Sequence, residues 1–262
     1  MPTELLTSPA NPLVKEIRRA VARGSLTREG FAVAESFHLL DEALASGCEI
    51  GAVIAAESAR AAVAGRAAGL PGARLLVFAD ALFRSISATE TSQGVIALVR
   101  PPAWSLDALF GGTPLVLVLD GIQDPGNAGA ILRAAEAFGA TGIVFLKGAV
   151  SPYNPKAVRA SAGSVFRIPL VTGLEADAVR TALEAHALDV YAAMPAASRS
   201  IADAGLSRPC AILIGSEGRG LREGLREGAV EVHIPVAGVE SLNAAMAAGV
   251  LLYEARRQRK GA

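Results

Sequence analysis

Short runs of consecutive apolar residues recur along this chain, and each ends in a glycine-bearing or polar loop. Ile50–Ile54, Leu75–Phe78, Leu115–Leu119 and Ala211–Ile214 show no alternation of polar and apolar residues. A strand that is apolar on both faces must be covered on both faces, as in a parallel sheet flanked by helices. Helix-length segments separate the runs. Asn11 is placed to cap a helix from Pro12 to about Arg23, with Gly24 behind it. Phe37–Ala45 has helical spacing and stops before Gly47. Successive strand–helix pairs imply right-handed crossovers and a mostly parallel sheet.

The stretch from Pro101-Pro102 to Gly111-Gly112-Thr113-Pro114 reads as a linker, with one short helical turn around Leu106, Leu109 and Phe110. It separates residues 1–100 from residues 115–262. The first half predicts a small α/β sandwich, with further strands at Phe31–Ala34 and Val95–Val99. The second half predicts strands at Leu115–Leu119, Ile143–Leu146, Phe166–Pro169, Asp189–Ala192, Ala211–Ile214 and Val230–Ile234. Its helices are expected at Ala128–Phe138, Pro155–Ser161, Ala176–Ala185 and from Leu242 to the carboxyl end. With 262 residues, 52% of them hydrophobic, the chain can bury such a core.

Several classes are disfavoured. Formal net charge is zero, so no global field draws the protein to nucleic acid or to a membrane. Basic residues do cluster locally, as Lys15, Arg18, Arg19 and Arg23 near the start and as Arg256, Arg257, Arg259 and Lys260 near the end. Such ends suit a helix dipole and also suit phosphate. Two distant cysteines and three scattered histidines point to neither a disulfide framework nor a metal site. No apolar run approaches the ~18 residues of a spanning helix, and no signal-like amino terminus is present. The expectation is a cytoplasmic protein with no membrane contact and no metal.

Three loops carry chemistry-bearing residues at predicted strand ends, where α/β sheets bind ligands. The first is Asp124-Pro125-Gly126-Asn127, in which Asn127 is a plausible helix N-cap. Arg133 follows six positions later, beside the apolar Ile131 and Leu132, and is expected to point along a packed face toward a cleft. The second is Gly215-Ser216-Glu217-Gly218-Arg219-Gly220. Its glycine spacing is neither that of the dinucleotide fingerprint nor that of a P-loop, and it holds a carboxylate between glycines. The third runs from Ile234-Pro235 to Ser241-Leu242-Asn243. Ser241 is a plausible N-cap there, and Asn243 sits oddly in a first helical turn.

Together these segments resemble the SpoU, or TrmH-like, branch of the SPOUT methyltransferases. The family pattern N-x-G-A-I-x-R is met by Asn127–Arg133, G-S-E-G-x-G by Gly215–Gly220, and I-P…S-L-N by Ile234-Pro235 with Ser241-Leu242-Asn243. The match covers about residues 115–258, and the first half resembles the family's ribosomal-protein-like RNA-binding domain. Val236 stands where the family usually has Met, and the Ile234–Ser241 span is one residue short.

The resemblance implies an α/β fold with a trefoil-knotted, mostly parallel sheet behind a smaller amino-terminal RNA-binding domain. It implies S-adenosylmethionine-dependent methylation of a ribose 2′-hydroxyl in RNA, ribosomal RNA first, by a homodimer. Arg133, Asn127, Glu217, Ser241 and Asn243 would form the reaction centre. Gly215, Glu217, Gly218, Ile234 and Leu242 would hold the cofactor, and Arg18, Arg19 and Arg23 would meet RNA. A tRNA methyltransferase, a resistance-conferring rRNA methyltransferase and a non-catalytic ribosome-assembly protein are the competing readings.

Overall fold

The computed structural model describes residues 4–67, 74–216 and 218–260. They divide into two compact units. One combines the first 102 residues with Pro152–Arg167, and the other combines Ala103–Ser151 with the chain from Ile168 onward.

The first unit is built on a five-stranded mixed sheet of order β1-β4-β3-β5-β2. Its strands are β1 (Glu4–Leu6), β2 (Ala32–Glu35), β3 (Glu49–Ala56), β4 (Arg74–Phe78) and β5 (Val95–Arg100). β3 pairs parallel to β4, whereas β5 runs antiparallel to both β2 and β3. Helix α1 (Pro12–Arg23) starts where expected. Asn11 accepts from the Leu13 N–H, and Gly24, at φ +60°, closes the helix in the left-handed region that glycine favours. Its Val14, Ile17 and Ala20 are buried on one face, against Phe31, Ile54, Phe78 and Phe83.

β2 is an edge strand, yet all four of its residues are buried. Helix α6 (Pro155–Ala160), from the 152–167 segment, packs on it beside α1 and α2 (Phe37–Ala45). An edge strand covered in this way offers no free backbone to another sheet. Gly24 leaves room for the Asn154 side chain, Gly163 does so for Glu42, and Glu42 pairs with Arg167. From sequence order this segment belonged with the second domain. Its apolar Ala157 and Val158 are buried in the first unit instead.

The second unit carries a seven-stranded sheet in which every pair is parallel, of order β10-β12-β9-β11-β6-β7-β8. The strands are β6 (Leu115–Asp120), β7 (Gly142–Leu146), β8 (Leu170–Leu174), β9 (Asp189–Ala193), β10 (Arg199–Ser200), β11 (Cys210–Gly215) and β12 (Val230–His233). The expected strand at Phe166–Pro169 is a correction. Gly163 turns the chain at φ +91°, Ser164–Phe166 form a 3-10 turn, and strand β8 begins only after Pro169. The 101–114 stretch does more than link, because Leu109 in its 3-10 turn is fully buried against the core. Gly142 permits this, since a side chain there would collide with Leu109.

Helices α5 (Pro125–Phe138) and α9 (Ala244–Lys260) pack on each other. Asn127 meets Asn243 near their starts, and Phe138 at the end of α5 meets Tyr253 midway along α9, ring edge to face, with centroids 5.9 Å apart. The two helices therefore run parallel. Buried Ala128, Ala135, Ala244 and Ala248 keep the pair close. Among the described residues no helix is long and apolar enough to cross a membrane.

Candidate active site

Two cavities open at the carboxyl ends of the parallel strands. One, of about 190 Å³, lies past β9, β11 and β12, and the other, of about 1090 Å³, lies past β6, β7 and β8. Ser216, Gly220 and Ala244 line both, so they form a common wall.

That wall is set by a tight crossing at Gly215. A Cβ on Gly215 would lie 2.5 Å from both the Gly220 oxygen and the Leu221 nitrogen, and closer still to the Gly220 carbonyl carbon. All three are main-chain atoms, so glycine is required by space rather than by φ. The loop then folds on itself. The Gly220 N–H donates to the Ser216 carbonyl at 2.9 Å, and the Arg219 N–H donates to Ser216 Oγ at 3.2 Å. Asp120 anchors its far end. This carboxylate is only 3% exposed, accepts from the Arg222 N–H at 2.8 Å and pairs with Arg222 Nε at 2.8 Å. Arg222 also donates to the Lys147 carbonyl at 2.7 Å, tying the loops after β6, β7 and β11 together. Burying a carboxylate is costly unless it is paired and hydrogen-bonded, and this one is both.

Both helix starts differ from expectation. Asp124, not Asn127, caps α5. Its side chain accepts from the Asn127 N–H at 2.8 Å, and Pro125 takes the first helical position. Asn243, not Ser241, caps α9, because its Oδ1 accepts from the Ala245 and Met246 N–H groups at 3.0 and 3.3 Å. Those two bonds fix the amide orientation, and Asn243 Nδ2 consequently donates to Asn127 Oδ1 at 3.1 Å. The asparagine that seemed out of place in a helix is the cap itself, and it joins the first and third loops.

The remaining expected residues are distributed as follows. Gly215, Ile234, Ser241 and Leu242 line the smaller cavity, while Asn127 and Gly218 line the larger one. Glu217 lies outside the described residues. Arg133 is exposed and lines neither cavity. Six residues at 100° each turn it about 240° from Asn127, onto another face of α5. Arg18 and Arg19 are engaged within the protein. Arg18 donates to Ser85 Oγ at 2.6 Å and Arg19 to Glu16 at 2.5 Å, whereas Arg23 is exposed. Sequence reasoning missed His233, Glu240 and Met194 in the smaller cavity, and Lys147, Glu175 and Arg222 in the larger. Asp120 ends the apolar strand β6, and its partner Arg222 lies 102 positions away in the sequence.

The smaller cavity suits a ligand with an apolar body and a polar rim. Ala193, Ile214, Val232, Leu242, Ala244 and Ala247 supply the body, and Ser216, His233, Glu240 and Ser241 the rim. The larger cavity is bordered by carboxylates and cations, including the Lys147–Glu175 pair at 2.5 Å. One ligand in each would meet across the Ser216–Gly220–Ala244 wall. Among the described residues no group of three or more His, Cys, Asp or Glu side chains forms a metal-binding cluster.

Known proteins resemble this chain over both halves. Residues 114–253 match the SpoU rRNA Methylase family, and residues 11–97 match the MRM3-like substrate binding domain. An uncharacterized tRNA/rRNA methyltransferase of Synechocystis is 35% identical, covering 97% of this chain and 93% of its own length. The 23S rRNA (guanosine-2′-O-)-methyltransferase RlmB of Ralstonia nicotianae is 35% identical over 74% of this chain and 81% of its own. Among solved structures, the SpoU methyltransferase AviRb from Streptomyces viridochromogenes in complex with AdoMet superposes with a TM-score of 0.87. It is 28% identical and covers 95% of this chain and 98% of its own.

Proposed function

This chain belongs to the SpoU rRNA methylase family, and we propose on that footing that it methylates a ribose 2′-hydroxyl of RNA, ribosomal RNA first, using S-adenosylmethionine. The common wall of the two cavities carries the reading, because a methyl donor and an acceptor held on its two sides come within reach of one another. The cofactor would lie in the smaller cavity, held by Gly215, Ile234 and Leu242, with Ser241 at the rim. The close approach at Gly215 and the flanking alanines make a narrow, largely apolar slot. When bound, the cofactor supplies an electrophilic methyl group on a sulfonium.

The ribose enters from the larger cavity. The Asn127–Asn243 amide pair fixes the two helix starts at its edge and orients the hydroxyl in line for displacement. Gly218 leaves the rim open, and Glu217 keeps a proposed role from its place in the Gly215–Gly220 motif. The hydroxyl oxygen is the nucleophile: it gives up its proton to solvent as it bonds to the transferred methyl group, and it carries negative charge to the extent that the proton leaves first. A guanidinium stays protonated and is a poor base, so Arg133 acts by stabilising the developing alkoxide. Bound RNA must draw its guanidinium across to the cleft. Arg133→Ala should lower the single-turnover methylation rate by about 10²–10⁴-fold, with donor affinity by calorimetry unchanged. Near-normal turnover removes Arg133 from the mechanism.

The same reading includes a cytoplasmic homodimer and a trefoil knot in the second unit. The knot rests on family membership. Met246, Val250 and Tyr253 support the dimer. They are 63%, 37% and 57% exposed and follow one another at i, i+4 and i+7 along one face of α9. An apolar stripe of that kind on the surface marks an interface. Met246→Glu should yield monomers by light scattering, and an unchanged dimer in that variant places the interface elsewhere.

A further inference from the structure

The first unit holds a third cavity, of about 600 Å³, which the methyl-transfer chemistry does not use. It lies beyond the carboxyl ends of β3 and β4, between the Ala56–Ala59 turn, α4 (Asp80–Arg84) and the irregular segment 85–94 that leads into β5. Its walls present the hydroxyls of Thr91 and Ser92 and the amide of Gln93, with Arg84 and Glu90 as opposite charges. All five residues are exposed.

The 85–94 segment has no regular structure, yet it is held in one shape. Glu35, 5% exposed at the end of β2, accepts from Ser87 Oγ at 2.5 Å, the Ala88 N–H at 2.7 Å and Thr89 Oγ1 at 2.7 Å. Gln93 Oε1 accepts from the Phe37 N–H at 3.0 Å, and Arg18 grips Ser85 at the other end. Gly94, at φ +75°, brings the chain against Ala59, where a side chain would collide. A buried carboxylate is costly without donors, and a segment that merely connected α4 to β5 would need none of these anchors. Such preorganisation is what a recognition loop requires.

The chemistry left over for a ligand is specific. Glu35 is spent on the loop, and Asp80 is spent on the Ser58 N–H and hydroxyl, at 3.0 and 2.9 Å. One cation, one anion and several neutral donors and acceptors remain. That set reads the edge of a base and a ribose hydroxyl by hydrogen bonds, and it differs from a row of cations that follows phosphates. Phe83 is buried and offers no stacking face.

We propose that this cavity takes one unpaired nucleotide of the RNA substrate, read by Arg84, Glu90, Thr91, Ser92 and Gln93. The proposal rests on the RNA-methylation reading and names where the first unit recognises the RNA. It also gives Arg18 a bracing role in place of a phosphate contact.

The test uses the full chain carrying Arg84→Ala with Thr91→Val, and separately Glu35→Gln, which loosens the loop from behind. RNA affinity is measured by fluorescence anisotropy with an unmodified rRNA fragment, donor affinity by calorimetry, and methylation by steady-state kinetics. Both variants should weaken RNA binding and raise the RNA KM by about tenfold or more, while kcat moves little and donor affinity stays the same. RNA affinity and KM within about twofold of wild type overturn the proposal. So does a loss seen only on ribosomal particles and not on naked RNA, which would assign the cavity to a protein partner. A wild-type chain that binds rRNA but transfers no methyl sinks the methylation reading, and the anisotropy comparison still decides the cavity.

Discussion

Gly215 has no room for a side chain, because three main-chain atoms occupy the space one would need. Gly215→Ala should cost about 1–3 kcal/mol through overpacking and weaken S-adenosylmethionine binding about tenfold or more. Calorimetry checks this, and donor affinity within twofold of wild type would show that the crossing yields. This glycine was legible in the sequence as part of a loop at a strand end, though the reason for it was not. The close approach comes from Gly220 and Leu221, five and six residues on, and depends on how the loop closes. Asn127 and Asn243 were legible in the sequence as loop residues at the starts of two helices. Their shared hydrogen bond was not, since 116 positions separate them. Cap assignment failed by local competition. Asp124 and Asn127 both suit an N-cap, and Pro125 at the first helical position decides for Asp124.

At the level of elements, apolar runs, flanking glycines and prolines located most strands and long helices. Ala176–Ala185 and Pro12–Arg23 have the limits that capping residues and periodicity suggest. The strand expected at Phe166–Pro169 failed because an apolar run cannot by itself distinguish a strand from a turn packed in a core. The basic end of α9 was also ambiguous in sequence. In the structure Arg259 donates to the carbonyls of Leu206, Thr113, Pro114 and Arg208 at 2.7–2.9 Å, fastening the last turn of α9 to the chain entering β6 and β11. Arg257 is paired with Glu254. A planar guanidinium can bridge several acceptors, whereas a lysine presents a single point of charge. Arg259→Ala should therefore destabilise the second unit by about 2–4 kcal/mol, with Arg259→Lys recovering only part. Denaturant unfolding followed by the fluorescence of Trp104, the single tryptophan, reads this in the correct unit. A loss below about 0.5 kcal/mol would mark Arg259 as an ordinary surface residue.

On the scale of the whole molecule, the chain builds two units whose boundaries do not follow sequence order, since residues 152–167 pack with the first. No local pattern announces this, because α6 has ordinary helix signals and its destination depends on the edge strand it covers. Function was more legible than architecture at this scale, because loops at strand ends carry their residue types wherever the intervening chain travels. Mass spectrometry of nucleosides from unmodified rRNA, incubated with the protein and methyl-labelled S-adenosylmethionine, decides whether the chain methylates an RNA ribose. Label is expected on a ribose 2′-oxygen at a defined nucleotide. Label on a base, or no transfer to any RNA, refutes 2′-O-methylation.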